Sequence, residues 1–269
     1  MFEILSDRSI IHIVGLDSQK FLQSLTTNDV VNKIYTYNYL LNNQGRYLYD
    51  FYIYQDNDKS YFLDIDKASS TSLIKRLSMY KLRSHIEIHD ASEFYTVLYS
   101  RSKIQNSLFS LRDPRYNKLG FRSIIKTVNI NKLEAKNSNL YLEDKYKFAI
   151  VDGTPDLVAE KSIPIEFGAE ELNAIDYKKG CYVGQEVISR AKYQGVVRKK
   201  IFKLQSDVNF LAIEPGAELT FEGVKVGKLC SFYENLAIGL LWEEKYLGLT
   251  EKKVMINSYI LDVTVPSWR

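Results

Sequence analysis

Alternation of apolar and polar positions divides the first third of the chain into short elements. Ser9–Val14 (SIIHIV) reads as a strand ended by Gly15, and Asp17 can cap a helix over SQKFLQSL. Tyr35–Asn42 (YTYNYLLN) and Arg46–Gln55 (RYLYDFYIYQ) are aromatic, alternating runs on either side of Asn43-Gln44-Gly45, the pattern of a hairpin. YFLDI continues as a strand. Asp66 can cap a helix over KASSTSLIKRLSMYK, whose Leu73, Ile74 and Leu77 fall on one face. HIEIH and FYTVLYS are further strands, and YLEDKYKFAIVDG reads as a helix closed by Gly153. After Gly195 the pattern changes. The runs VVRKKIFKL, AELTF, KVGKLCSFY, LAIGLLW and YILDVTV follow one another between short turns without a helix, which predicts a small C-terminal β-barrel. The fold class expected is α+β with mostly antiparallel strands, divided into 1–195 and 196–269.

Composition narrows the field. A chain of 269 residues, 45% of them hydrophobic, suits two or three subdomains with a sizeable core. A net charge of +3 and a pI near 8.5 fall short of a dedicated nucleic-acid binder. The start, MFEILSDRSIIHIVG, lacks the features of a secretory signal, and no apolar run approaches the roughly 18 residues that would cross a membrane. The only cysteines are Cys181 and Cys230. A disulfide framework is not expected, and a reducing, cytoplasmic location is.

Candidate chemistry concentrates in KKGCYVGQEVISR, Lys178–Arg190. Cys181 sits between glycines, after two lysines and ahead of a helix expected from about Gly184. A helix N-terminus and neighbouring lysines both favour thiolate over thiol. The local sequence equally allows a buried cysteine in a tight turn.

KGCYVGQE, Lys179–Glu186, resembles the signature of the YgfZ-type folate-binding proteins, which include mitochondrial relatives in iron–sulfur cluster assembly. FLQSLTTNDV, LLNNQGRYLYDFYIY, YKLRSHIEI and DPRYNKLGFR resemble further blocks of that family in the same order. The family is similar to the T-protein of the glycine cleavage system, a tetrahydrofolate-dependent aminomethyltransferase. The resemblance implies a T-protein-like body of ferredoxin-like halves around a central folate pocket, a C-terminal barrel, and tetrahydrofolate as cofactor. It also implies iron–sulfur proteins or assembly factors as partners, tRNA-thiolating enzymes among those supported. This chain departs from the T-protein: it is shorter, and its hairpin reads GRYLYD where the T-protein has a double glycine followed by paired acids.

Folate makes definite demands. Its pterin offers an amino–amide edge to a carboxylate, its rings need aromatic walls, and its glutamate tail needs cations. Asp50, in the tyrosine-rich hairpin, and Glu166, in IPIEFG where the T-protein has a similar Glu-containing block, are the candidate carboxylates. Arg198 is the candidate for the tail, and Tyr182, Gln185 and Glu186 are further candidate contacts. Lys179 joins Cys181 as a candidate reactive residue. Each also has a plain reading, Asp50 and Arg198 as solvated strand residues and Glu166 as a loop charge. Two cysteines in different parts of the chain cannot supply the four ligands of an iron–sulfur site. His85, Glu87 and His89 alternate on one strand face, better read as a polar face opposite Ile86 and Ile88 than as a metal site. Cys230 reads as a core residue. The leading functional expectation is an accessory factor for iron–sulfur cluster assembly or repair with Cys181 as reactive centre. The alternatives are a folate-dependent aminomethyltransferase and, from the basic VVRKK run, a tRNA-binding factor.

Overall fold

The computed structural model describes residues 1–132, 139–195, 197–211 and 213–269. In chain order the body contains β1 (Phe2–Ile4), β2 (Arg8–Val14), α1 (Ser18–Leu25), β3 (Tyr35–Leu41), β4 (Tyr47–Asn57), β5 (Ser60–Asp66), α2 (Lys67–Lys81), β6 (Glu87–Asp90), β7 (Tyr95–Ser100), β8 (Phe109–Arg112) and β9 (Phe121–Lys126). Helix α3 (Leu140–Phe148), the single turn α4 (Gly153–Asp156) and α5 (Gln185–Gln194) follow. The remainder holds β10 (Lys199–Gln205), β11 (Glu218–Phe221), β12 (Val224–Tyr233), β13 (Leu236–Trp242), α6 (Glu243–Gly248), β14 (Lys253–Ile256) and β15 (Tyr259–Thr264).

Two antiparallel sheets form the body, with strand orders β3-β4-β5-β2-β6 and β1-β7-β9-β8. The two-residue period of a strand sorts the first sheet into two faces. Ile11, Ile13, Leu40, Phe51, Ile53, Leu63 and Ile65 meet Phe21, Leu22 and Leu25 of α1 and Leu73 and Leu77 of α2. Ile10, Tyr37, Tyr39, Tyr52, Tyr54 and Phe62 point the other way, into a core shared with Val97, Tyr99 and Ile124 of the second sheet. The expected hairpin is β3–β4, with Tyr39 opposite Asp50. Asp66 caps α2 by accepting the Ser69 N–H at 3.0 Å. Asp17 does not cap α1 with its side chain, because its carboxylate accepts the His85 N–H at 2.7 Å.

Between the sheets lies a run of buried charges. Asp64 accepts from Arg8 at 2.6 Å and from Arg122 at 2.8 Å. Arg115 grips Asp113 with two N–H groups, at 3.0 and 2.7 Å, and reaches Asp152 at 2.6 Å. Lys145 joins Asp152 at 3.2 Å to Asp156 at 3.0 Å. Tyr52 is sandwiched here, with the Arg122 guanidinium carbon 4.2 Å and that of Arg115 5.2 Å from its ring centre.

The last strands close into a barrel in the order β10-β13-β12-β11-β14-β15. Phe202, Leu204, Leu219, Leu229, Leu241 and Leu261 fill it, while the outward-facing Ile201, Cys230, Ile238 and Leu240 pack into the body core. The Ser231 hydroxyl donates to Asp156 at 2.5 Å, and the Trp268 indole N–H donates to the Phe148 carbonyl at 2.9 Å, so the barrel is tied to the body through α3 and α4.

Two details differ from the sequence reading. Helix α3 ends at Phe148, not Gly153, because Ala149 turns left-handed (φ 53°) and its N–H bonds back to Lys145 and Tyr146 carbonyls. A short helix, α6, interrupts the barrel strands. The expected division falls at Val196, which lies outside the described residues.

Burial pushes the Asp64 carboxyl up, and Arg122 and Arg8 more than offset this, holding it below its ordinary 3.8. Asp64→Ala leaves two arginines buried without their partner and is expected to cost about 3–5 kcal/mol in denaturant unfolding. The stability supplied by a lowered carboxyl is fully present above about pH 4 and lost as acid protonates the folded form. The gap between wild type and variant is therefore constant near neutrality and narrows below pH 4.

Candidate functional site

The segment leading into α5 alternates between buried and exposed residues. Lys179 and Tyr182 are buried, each 7% exposed, whereas Gly180 and Cys181 between them face solvent. Of the two readings open for Cys181, the exposed loop is the one observed. What holds the loop is Lys179. Its ammonium donates to the Thr26 carbonyl at 2.5 Å and the Asn28 carbonyl at 2.7 Å, just past the C-terminus of α1. Burial pushes this lysine down to about 7, against the pull of Asp29 and Asp176. Asp176 adds a second tie, donating its N–H to the Thr27 carbonyl at 2.9 Å and pairing with Lys33 at 2.8 Å.

On the other side the loop is pinned by Gly184, which has φ 82° and caps α5. A Cβ there would lie 2.6 Å from the Asn42 carbonyl oxygen and 3.1 Å from Gly45 Cα, both in the turn of the β3–β4 hairpin. Glycine is needed for the backbone conformation and for the close approach of the two segments. Cys181 is thus displayed on a short span held at one end by a buried lysine and at the other by backbone contact. Tyr182 has a buried hydroxyl with no hydrogen-bond partner among the described residues, and its ring centre lies 5.3 Å from the Lys179 ammonium. Gln185 and Glu186 begin α5. The Gln185 N–H donates to the Tyr182 carbonyl at 3.2 Å, and exposed Glu186 pairs with Arg190 at 2.6 Å.

The other candidates lie elsewhere. Asp50 is buried (5% exposed), contrary to a solvent-facing strand residue, and one oxygen accepts the Tyr37 hydroxyl while the other accepts that of Tyr47, both at 2.8 Å. Gly153 packs so closely that a Cβ would overlap the carboxylate. A pterin does not fit at Asp50: its hydrogen-bonding edge is taken by tyrosines and its approach by backbone. Asp50 and Cys181 line none of the five principal clefts, so the expected central pocket shared by both is not among them. Glu166, half-buried on the segment before α5, lines a cleft between body and barrel with Lys199, and burial raises its carboxyl against Lys199, Arg46 and Lys228. Arg198 is exposed just ahead of β10, its carbonyl accepting the Glu243 N–H at 2.8 Å. Cys230 is buried in the core, and burial raises its thiol well above the ordinary range. His85 lies outside β6, and His89 pairs with Glu87 at 3.0 Å.

Sequence reasoning missed Thr26 and Asn28, since a backbone carbonyl leaves no trace in residue type. It also missed Tyr37 and Tyr47 as partners of Asp50, and Lys161, Lys228 and Trp242 as walls of the Glu166 cleft.

No family model matches the chain. It is similar to the iron–sulfur cluster assembly factor IBA57, mitochondrial, of Mus musculus (26% identical) and of Homo sapiens (27% identical), covering 98% of this chain and 84% of each relative. The Mycosarcoma maydis homolog of that factor is 31% identical over 73% of this chain and 55% of its own length. Among solved structures, glycine cleavage system aminomethyltransferase T from Bartonella henselae superposes with a TM-score of 0.78, covering 100% of this chain and 86% of that one at 13% identity. The chain has the fold of the T-protein. The likeness is one of architecture and carries no activity with it. The relatives are named as mitochondrial, which overturns the cytoplasmic location expected above. Scarce cysteines point to a compartment that keeps thiols reduced and do not distinguish one such compartment from another.

Lys179→Met strips the Thr26 and Asn28 carbonyls of their donor and is expected to destabilise the fold by about 1–3 kcal/mol. Because Lys179 titrates below its ordinary 10.5 in the folded chain, the unfolded chain binds the extra proton between about pH 7 and 10. Urea titrations across that window should show the wild type gaining stability relative to the Met variant as pH rises; a gap that shrinks would contradict the buried site of this ammonium.

Proposed function

We propose that this chain is an accessory factor in iron–sulfur cluster assembly or repair whose reactive centre is Cys181. The similarity, over nearly the whole chain, to proteins named as iron–sulfur cluster assembly factors supports the role. The observation that carries the assignment to Cys181 is the contrast between the two thiols: Cys181 is displayed to solvent on a pinned loop and Cys230 is sealed in the core. A solvent-facing thiol can meet iron or sulfur carried by another protein, and a thiol sealed in this core cannot. An iron–sulfur cluster typically takes four protein ligands, and this chain offers one. A cluster touching Cys181 is therefore cargo in transit, its other ligands supplied by the protein that delivers or receives it. Lys179 acts on this chemistry from behind the loop, by fixing where the thiol stands. Client enzymes of the tRNA-thiolating kind fit the same role through the resemblance. Tetrahydrofolate belongs to this reading through the resemblance and the T-protein fold, and no step runs through it at Asp50.

Under limiting iodoacetamide the native protein should alkylate at Cys181 and spare Cys230 until it unfolds. Cys181→Ser, in an exposed loop, should change stability by no more than about 0.5 kcal/mol, yet fail to restore iron–sulfur enzyme activity in cells lacking the wild-type protein. Full restoration by the Ser variant would remove the thiol from the mechanism.

A further inference from the structure

Helix α2 carries charge of one sign. The chain sets 36 basic residues against 33 acidic ones, so its surface is expected to mix the two. From Lys67 to Ile86, however, there is no Asp or Glu. Helix α2 and the turn after it present Lys67, Lys75, Arg76, Lys81 and Arg83, none of which makes an ion pair among the described residues. The acids that border them are engaged elsewhere. Asp66 caps α2, Asp17 accepts the His85 N–H, and Glu87 pairs with His89. Asp58, next to Lys59 in sequence, lies on the turn that meets Gly15, and Asp7 lies beside Lys67. The unbalanced charge therefore gathers at the C-terminal end of the helix.

The same end shows apolar side chains to solvent. Leu73 and Leu77 turn inward onto the sheet. Lys75, Met79 and Leu82, at spacings of four and three, are left on the outside. Met79 is 72% exposed and Leu82 88% exposed. Leu16, 70% exposed, shares the rim of one hollow with Lys81 and His85. Leu82 is the unusual member. It closes α2 with φ 44°, a conformation that glycine adopts freely and leucine only at a cost. A residue that is both strained and wet adds nothing to the isolated fold, and it points to a contact outside the chain.

We propose that the C-terminal end of α2, with the Leu16 turn, is a docking face for an anionic lipid bilayer. Leu16, Met79 and Leu82 enter at headgroup level, and Lys75, Arg76, Lys81 and Arg83 meet the lipid phosphates. Attachment is from one side, since among the described residues no helix is long and apolar enough to cross a membrane. Interfacial binding draws on buried apolar area and on attraction between cations and anionic lipid, and this face supplies both. Other occupants fit it less well. A single-stranded nucleic acid stacks its bases on exposed aromatic rings, and Tyr80 of α2 packs on the core beneath. A protein interface has a continuous apolar centre, whereas here lysines and arginines separate the apolar side chains. A second copy would bring the same charge and be repelled. The face draws on neither Cys181 nor the cleft beside the barrel.

The test is co-sedimentation of the full chain with vesicles of equimolar phosphatidylcholine and phosphatidylglycerol, and with vesicles of phosphatidylcholine alone. The chain should pellet with the first, less so as salt rises, and stay in solution with the second. Lys75→Glu with Lys81→Glu should weaken binding to the anionic vesicles at least about tenfold. Lys225→Glu with Lys253→Glu makes the same change in net charge on the barrel and should alter binding by less than about twofold. Leu82→Gly removes the inserted side chain and suits the turn. It should weaken vesicle binding about tenfold, with a urea midpoint no lower than that of the wild type. The emission of Leu82→Trp should shift to the blue on adding anionic vesicles and stay put on adding polyuridylate. No pelleting with the anionic vesicles, equal pelleting with both kinds, equal losses from the α2 and barrel reversals, or polyuridylate bound as tightly as the anionic vesicles would each overturn the proposal.

Discussion

The two sheets of the body are held at a fixed separation by charges that are buried or nearly so. Asp64 binds two arginines from opposite sides of the interlayer, and Arg115 binds Asp113 and Asp152. Such groups are tolerated in an interior only if every partner is in place. Apolar side chains can slide past one another, whereas Arg115, with donors committed to Asp113, Asp152, the Val151 carbonyl and Tyr141, has one position. The chain of charges runs on through Lys145 to Asp156 and so to Ser231 on the barrel. The placement of the barrel relative to the sheets, and hence the cleft between them, depends on it.

The same constraint accounts for Asp50. Tyrosines take the space in the middle of the molecule: Tyr37, Tyr39, Tyr47 and Tyr52 surround one another with ring centres 4.9–5.8 Å apart, the Tyr37 and Tyr47 hydroxyls take both oxygens of Asp50, and the Tyr52 hydroxyl bonds Asp113. A hairpin so rich in tyrosine builds its own polar core.

Much of the architecture was legible in the order of residues. The β3–β4 hairpin follows from alternation around a glycine turn, the cap of α2 from Asp66, and the barrel from close-spaced strands. The order of residues leaves the exposure of Cys181 open, because a glycine-flanked cysteine before a helix is compatible with either side of the surface; the buried grip of Lys179 settles it. Local patterns do not announce cross-chain partners. Asp50 looks like a free strand carboxylate until Tyr37 and Tyr47 are folded around it, and Glu166 acquires its neighbours only when β10, β12 and β13 close against the body. The end of α3 at Ala149 was missed for a different reason: glycine is the usual left-handed residue, and an alanine took that role.

Lys179 takes hold of the turn after α1, not of α5, although it is much nearer to α5 in sequence. The thiol is thereby registered to the five-stranded sheet at both ends of its loop, by Lys179 at the turn after α1 and by Gly184 against the β3–β4 turn. A protein that meets the exposed thiol therefore finds the sulfur at a constant address, set by the sheet and not by the helix that follows it in sequence.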